Sequence, residues 1–565
     1  MLMHNKLHLE KTNMLKAIQH RAQSQQCLFA SIMNWEGIIR NSLPAGDVSC
    51  KICVLRNHNF EIVSEIVKQY LRFGGLEVDF SIHEYDNTFA FRDAENADLV
   101  LIWMEDSLYK ISADELSFWF ANQCEKIVSR CNIPIIAAIW SDNEERRIGL
   151  SRQCKKVAGI DFFDLYSSLQ VFDAHKKSAR MVEIGGTPLS KTAQMLSARE
   201  LARLIGGHIL PPIKAIAVDL DDTMHKGILG EDKVSGIVVT EKHEILHRQL
   251  LKCKEQGILL VLVTHNEDKD VRNMFASGYS SCLRLQDFAF IAAGWQSKAE
   301  YLQQAAEYLR ISVDSFVFVD DNPGEIVAMA AQLPQVKLIV AEADASITAR
   351  TIEFFPGLSK VSTSKEDSLR LKDLQVQQAR RQIAQNSVDE NDYFASLSVS
   401  LHFHLNSVEQ VKRLDQLSMR TNQFNLSLSR INQVEISALI EDPCSDVVSV
   451  ALVDYLSDSG IICMVAGVLK VDVLVIEEAC ISCRALGRGL ENSMILGAIK
   501  IMENFKKCKR VAFKYTVGPR NQPALAWLES LAGNKDTLAT TKTFSKDRVS
   551  AFEIPPSIKT HVDFS

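Results

Sequence analysis

Asp219-Leu220-Asp221-Asp222-Thr223 follows the apolar run 214–218, so two carboxylates stand at the C-terminal tip of an expected parallel strand. That edge is where α/β sheets bind and transform ligands. A carboxylate can attack phosphorus and form an aspartyl-phosphate. A second one, two residues on, can protonate the leaving oxygen, because residues i and i+2 leave a strand on the same side. Partners for this chemistry follow in order. A helical stretch, 241–256, is stopped by Gly257, and the strand 258–263 ends in Thr264-His265-Asn266. The Thr264 hydroxyl can hydrogen-bond a phosphoryl oxygen, and Asn266 is assigned to the substrate beside it. In Gly294-Trp295-Gln296-Ser297-Lys298 the ammonium can hold both the nucleophilic carboxylate and the phosphoryl group through the transition state. The strand 316–319 then runs into Asp320-Asp321-Asn322-Pro323. Hard oxygen ligands from two loops suit Mg²⁺, with Asp219, Asp221, Asp320 and Asp321 as the expected set.

The series Asp-x-Asp-x-Thr, Thr, Lys, Asp-Asp resembles the four motifs of the haloacid dehalogenase (HAD) superfamily. The resemblance implies that Asp219 is the nucleophile and Asp221 the general acid/base, with Thr264, Lys298, Asp320 and Asp321 matching the remaining motifs. Acidic residues after strands are also ordinary loop residues and helix N-caps, which accounts for one such motif but not for four in order. Little sequence separates the motifs, so no sizeable cap domain is expected. The site should be open unless another domain covers it.

The elements that must position these groups begin upstream. From Ser49 the pattern is strand 51–55, amphipathic helix 60–73 closed by Gly74-Gly75, and strand 76–82, with further apolar runs at 97–104 and 133–140. This reads as a doubly wound α/β module up to about Pro212. Its first strand tip is Asn57-His58-Asn59, without the serine a hydrolase of this shape would need. Asp173-Ala-His175 could be the remnant of a dyad, or a surface pair near a helix start, which explains it better. A binding or structural role is expected for the module. Pro211-Pro212 marks the junction to the next module, and Thr363-Ser-Lys-Glu366 makes a capping box for a charged connecting helix.

Beyond about Tyr393, strands and helices alternate. Arg420-Thr421-Asn422-Gln423-Phe424-Asn425 is an unusually polar cluster for a core. Strand 473–476 leads to Ser482-Cys483-Arg484-Ala-Leu-Gly487-Arg488-Gly489 and a helix, 490–505. Arg-x-x-Gly-x-Gly between a strand and a helix can cradle phosphate through close backbone approach and unpaired N–H groups; it can also be only a tight turn. The loop resembles the one by which GNAT-fold acyltransferases grip acyl-CoA, and Asn521-Gln-Pro-Ala524 after strand 511–516 is similar to that fold's later motif.

The order of modules, with Thr-Asn-Gln-Phe-Asn-Leu and Ser-Cys-Arg-x-Leu-Gly-Arg-Gly, resembles the FkbH-like family from about Ser49 onward. The resemblance implies dephosphorylation of 1,3-bisphosphoglycerate or a similar three-carbon acyl phosphate. It also implies loading of the glyceryl group as a thioester on the phosphopantetheine arm of an acyl carrier protein, for polyketide or related pathways. Cys483 is then the candidate covalent carrier. It lies at a strand end beside a helix N-terminus with Arg484 and Arg488 nearby, and lowering a thiol from about 8.5 to about 7 needs roughly 2 kcal/mol. It can equally be a small buried residue, with the carrier thiol attacking directly. Asn422, Arg484, Gly487, Arg488, Gly489 and Asn521 join Asn266 as expected substrate contacts. His402 and His404 could supply a base or simply line a solvated strand. An alternative reading is a Mg²⁺-dependent phosphatase fused to an acyl-CoA-dependent GNAT acyltransferase. The chain departs from the family where Asp222, Met224, His225 and Lys226 replace Asn, Leu, Trp and Gly, and over Asp454 to Gly460. Titratable groups thus stand beside the nucleophile, which bears on the acyl-phosphate substrate.

Composition narrows the classes. At 565 residues the chain should hold about three or four domains. A net charge of −7 with scattered Lys and Arg provides no nucleic-acid footprint. No stretch reads as a membrane span or leader, and thirteen cysteines spread over the length suit reduced thiols, so a cytoplasmic protein is expected. The pairs Cys50/Cys53 and Cys480/Cys483 are expected as strand cysteines rather than a zinc or redox site. The expected fold class is α/β multidomain. It comprises an N-terminal helical extension (1–48), an SGNH/flavodoxin-like doubly wound module without catalytic serine (49–212) and a capless, Rossmann-like HAD domain (213–356). A helical connector (357–392) and a GNAT-like α+β acyltransferase domain (393–565) complete it.

Overall fold

Apolar runs without helical period become the central strands of two parallel sheets and of a third, mixed one. The computed structural model describes all residues except 1, 89–95, 132, 158, 359–375, 377–378, 381–382, 385–386, 519, 533–540 and 565. The capping box at Thr363 and most of the expected connector lie outside the described residues. The chain divides into two compact units, Met1–Thr363 and Ser364–Ser565.

In the first unit, β1 (Val48–Arg56), β2 (Leu76–Tyr85), β3 (Leu99–Glu105), β4 (Ile135–Trp140) and β5 (Ile160–Asp164) form a sheet of order β2-β1-β3-β4-β5. A second sheet, of order β10-β9-β6-β7-β8, contains β6 (Ala215–Val218), β7 (Leu259–Thr264), β8 (Phe288–Ala293), β9 (Phe316–Asp320) and β10 (Lys337–Val340). All pairings in both sheets are parallel. β3, β4, β6 and β7 are buried at every residue, as expected of sheets covered on both faces. The sheets read from sequence as separate modules share one apolar core that includes Phe60, Trp103, Leu196, Val218 and Leu260. The polar N-terminal stretch forms the helix Leu2–Phe29. Its Arg21 donates to Phe73 O at 2.9 Å and to Leu338 O at 3.1 Å, joining the first sheet's helix to the second sheet's edge.

The second unit is built on a seven-stranded sheet, order β16-β15-β14-β13-β12-β11-β17. Its strands are β11 (Ser400–Leu405), β12 (Ser445–Val453), β13 (Asp458–Lys470), β14 (Val473–Ile481), β15 (Arg510–Lys514), β16 (Thr541–Ser545) and β17 (Lys559–Phe564). β14/β15 and β11/β17 pair in parallel and the other neighbours antiparallel. The helix expected over 490–505 is two pieces, Glu491–Ile501 and Glu503–Lys507, parted at Met502 where ψ is 132°.

The described cysteines are free thiols. Cys50, Cys53 and Cys480 are buried in strands, and burial, with Asp98, pushes the Cys50 thiol up to about 12. Among the described residues no helix is long and apolar enough to cross a membrane.

Candidate active site

Topology gathers the acidic motifs. The chain runs outward from β6 through β7 to β8, then returns to the other side of β6 for β9 and β10. The crevice at the C-terminal ends of β6 and β9 is therefore the sheet's switch point, where open α/β sheets bind ligands. Asp219 follows β6 and donates its N–H to Val319 O at 2.9 Å, while Asp320 ends β9. Lys298 opens the helix Lys298–Leu309, which is capped by Ser297 and Glu300 in a reciprocal box. Its Nζ lies 2.7 Å from Asp219 Oδ1 and 2.7 Å from Asp320 Oδ2, and all three side chains are buried. Asp321 completes the group, accepting from Thr223 Oγ1 at 3.2 Å.

One oxygen from each of Asp219, Asp320 and Asp321 lies within 4.8 Å of the others. Burial raises the pKa of all three carboxyls. At Asp219 the pull of Lys298 opposes this and the charge of Asp320 adds to it. Burial alone would lower Lys298, but the two carboxylates outweigh it and hold the ammonium above its ordinary value. Three carboxylates against one ammonium form an oxygen-only donor set with a deficit of positive charge, which fits Mg²⁺.

Asp221 falls outside that set. β6 ends at Val218, so the alternation rule no longer applies two residues past Asp219, and Asp222 turns the chain with φ +49°. The Asp221 carboxylate instead accepts from Leu229 N–H at 3.0 Å and from Asn266 Nδ2 at 2.7 Å, and its Oδ1 lies 3.2 Å from His225 Nε2. Burial pushes this carboxyl up, but the bonds from His225, Leu229 and Asn266 outweigh it and leave it below the usual value. Asn266 also donates to Thr264 Oγ1 at 2.8 Å, so the β7 tip and Asp221 are tied together. Between β6 and the helix Glu241–Glu255 the chain carries only a short helix, Leu229–Gly236, and a bridge between Lys226 and Val238.

Sequence reasoning assigned no role to Thr223, Tyr279, His225 or Trp295. Thr223 had a signal in the Asp-x-Asp-x-Thr spacing. Trp295 is 73% exposed on the loop before Lys298, with Nε1 donating to Glu267 Oε1 at 3.0 Å and its ring stacked on His265. In the first sheet, His58 is buried at the β1 tip with Nδ1 3.1 Å from Thr187 Oγ1. Burial, helped by Arg56 and Lys177, lowers its pKa to about 3. Asp173 pairs with Lys176 at 3.5 Å and the His175 ring meets Tyr166 edge-on, so each of the suspected dyad has another neighbour.

In the second unit the loop after β14 has Gly487 and Gly489 at φ +68° and +74°, a left-handed backbone that favours glycine. Several of its polar groups bond to neighbouring residues of the same unit. Gly487 N–H donates to Glu491 Oε1 at 2.9 Å, and Arg484 N–H donates to Ser482 Oγ at 3.4 Å. The Arg488 guanidinium lies 3.4 Å from buried Asp454, which Arg380 holds at 2.8 Å. Cys483 is half-buried in this loop. The polar cluster has a structural place. β14 and β15 pair only over Val473–Ile476 with Arg510–Phe513. Beyond that, residues 424–426 enter between them, with Leu426 N–H donating to Ala479 O, Ile481 N–H to Phe424 O and Thr516 N–H to Leu426 O. Asn521, expected at the substrate, is buried and bonds the backbone of Asn425, Thr516 and Gly518. Asn422 Oδ1 accepts from Arg430 at 2.7 Å. His402 stacks on His561, and His404 lies 3.2 Å from Asp563, across the β11/β17 pair.

No protein-family model matches the chain, and no curated protein matches it significantly. Among solved structures it is similar to the N-terminal part of the protein BF1531 from Bacteroides fragilis, described as containing a phosphatase domain complexed with Mg. The TM-score is 0.44 at 15% identity, covering 60% of this chain and 99% of that one. It is also similar to a fungal multi-domain β-N-acetylglucosaminidase with a GCN5-related glucosamine N-acetyltransferase region, at TM-score 0.18 and 12% identity, over 92% of this chain and 66% of that one. With TM-scores below 0.5 these likenesses carry no argument, and the chemistry rests on the residues.

Proposed function

We propose that the first unit is a phosphatase that works through an aspartyl-phosphate on Asp219, and that the second unit transfers a small acyl group to a thiol. The observation that carries the reading is Lys298 held at 2.7 Å by both Asp219 and Asp320 at the sheet's switch point, with Asp321 alongside. An Asp219 oxygen attacks phosphorus while Lys298 neutralises the crowded carboxylates and the phosphoryl oxygens. Asp221, held by Asn266 and Leu229, exchanges the proton with the leaving oxygen and then with the water that releases phosphate. Asp219, Asp320 and Asp321 would hold Mg²⁺, which when bound supplies the positive charge that this donor set lacks.

The substrate in this proposal is 1,3-bisphosphoglycerate or a similar three-carbon acyl phosphate. Asp219 acts on its phosphate ester, the Cys483 thiolate attacks the acyl carbon and expels inorganic phosphate, and the thioester passes to the phosphopantetheine thiol of an acyl carrier protein, which frees Cys483. The family signatures around residues 421–426 and 482–489 support it. Intact mass spectrometry of the protein with 1,3-bisphosphoglycerate, Mg²⁺ and a phosphopantetheinylated carrier protein tests it. A glyceryl adduct on Cys483 or on the carrier is expected. Phosphate release with no adduct would leave the phosphatase alone and favour an acyl-CoA-dependent second unit. Absence of phosphate release would sink the whole reading.

A further inference from the structure

We infer that His225 is a positioning residue for Asp221, holding that carboxylate where it can deliver a proton to a departing alkoxide. The inference rests on the phosphatase reading of the same site.

His225 is fully buried, and a buried imidazole needs partners for both ring nitrogens. Nε2 lies 3.2 Å from Asp221 Oδ1, and Nδ1 lies 3.0 Å from the Tyr279 hydroxyl, against which the ring packs edge to face. The same hydroxyl is 3.0 Å from Met224 O, which also lies 2.9 Å from His247 Nε2. His247 Nδ1 in turn lies 2.9 Å from Ser280 Oγ. A buried chain of polar groups thus stands behind His225 and fixes its ring plane. Facing a carboxylate oxygen, which accepts only, Nε2 is the nitrogen that carries the hydrogen.

The result at Asp221 is asymmetric. Oδ1 is anchored twice, by His225 and by Leu229 N–H at 3.0 Å, whereas Oδ2 receives the Asn266 amide at 2.7 Å. An oxygen with one such bond keeps a lone pair for a proton in transit. When an alkyl phosphate reacts, a bond forms from Asp219 to phosphorus and the bond from phosphorus to the alkyl oxygen breaks. The proton passes from Asp221 to that oxygen, giving the free alcohol and leaving Asp221 as a carboxylate. A leaving group stable as an anion needs no such proton. Loss of the His225 anchor should therefore show in one class of ester and not in the other.

The test uses the full chain with Mg²⁺, and compares glycerol 3-phosphate with p-nitrophenyl phosphate for wild type, His225→Phe, His225→Gln and Tyr279→Phe. For His225→Phe, kcat on glycerol 3-phosphate should fall about 10- to 100-fold with KM unchanged, while p-nitrophenyl phosphate turnover stays within about threefold. His225→Gln, which can return an N–H to Oδ1, should recover part of the loss. Tyr279→Phe keeps the packing and should show a smaller loss of the same selectivity. Equal losses on both esters in His225→Phe and Tyr279→Phe, or no loss on either, overturn the inference alone. A wild-type protein that turns over neither ester but releases phosphate from 1,3-bisphosphoglycerate overturns the inference alone, and one that releases phosphate from none of the three overturns the phosphatase reading, and this inference with it.

Discussion

The side-chain amide of Gln25 clasps the backbone of Val340, Nε2 donating to its carbonyl at 2.6 Å and Oε1 accepting from its N–H at 3.2 Å. Val340 ends β10, an edge strand of the second sheet, and Gln25 lies on the N-terminal helix. One buried side chain thus supplies the bonds that a further strand would make, and covers an edge otherwise open to pairing. Gln25→Leu keeps much of the volume and removes both bonds, leaving a buried donor and acceptor unmatched. The expected loss is about 2–4 kcal/mol, read as a lower midpoint in guanidinium unfolding. An unchanged midpoint would show that the helix is held by its apolar contacts alone.

The carboxylate crevice makes a prediction about metal binding. Mg²⁺ at about 100 times its Kd should stabilise the wild-type protein by about 2.7 kcal/mol, seen as a rise in the first thermal unfolding transition. Asp320→Asn removes a buried donor that faces Asp219 and Asp321 across the site. It should abolish most of the Mg²⁺-dependent shift and the Mg²⁺-dependent phosphate release while raising stability without metal, because burial disfavours the charge it removes. A full Mg²⁺ shift in the variant would place the ion elsewhere. Asp219→Asn should lower turnover by on the order of 10³-fold or more, as expected of a nucleophile.

These residues show how far the sequence could be read. Val218-Asp219 and Val319-Asp320 were legible because an aperiodic apolar run ending in an acid marks a buried parallel strand and its functional end. Lys298 was legible from its place in the order of motifs, between the Thr264 tip and Asp320-Asp321. The direction of Asp221 was not, since it depends on a turn through Asp222 at φ +49°, and on partners as distant in sequence as Asn266. β5, β8 and β10 were missed. β10 is only four residues, and β5 is half-buried throughout, so neither carries a strong hydrophobic pattern. The polar stretch before Leu426 read as a site because its role as an insertion between β14 and β15 is set by long-range pairing with Ala479 and Thr516.

Glu478 on β14 makes a prediction about pH. It is fully buried, and accepts from Ser418 Oγ at 3.0 Å, from Asn425 Nδ2 at 2.6 Å and from the Ser427 hydroxyl. Burial raises its pKa, more than those bonds and the charge of Arg430 lower it. A carboxyl that binds its proton more tightly when folded stabilises the fold fully below its unfolded pKa, about 4.3. That contribution fades as pH rises through the folded value. Glu478→Gln keeps the shape and removes the titration. Its stability relative to wild type should therefore increase as pH is raised from 4 towards neutrality, in denaturant unfolding followed at several pH values. A difference that stays constant with pH would mean that the native carboxyl ionises as easily as the unfolded one.

Asn521 shows what holds the inserted segment in place. Its Nδ2 donates to Asn425 O at 3.0 Å and Thr516 O at 2.8 Å, and its Oδ1 accepts from Gly518 N–H at 2.9 Å. The amide thereby pins residues 424–426 to the end of β15, beyond the point where β14 and β15 cease to pair. Asn521→Leu would leave the buried Asn425 carbonyl without this partner and free the part-buried Thr516 carbonyl and Gly518 N–H, at a cost of about 1–3 kcal/mol. The loss should be local, because Leu426 and Thr516 share the hydrogen bond next to the pin. Hydrogen exchange followed by mass spectrometry should show peptides over 421–428 and 514–518 losing protection, while those over β12 and β13 keep theirs. Protection lost evenly across the sheet would mean that Asn521 supports the whole unit, and protection lost nowhere would mean that Phe424 and Leu426 hold the segment through their apolar contacts.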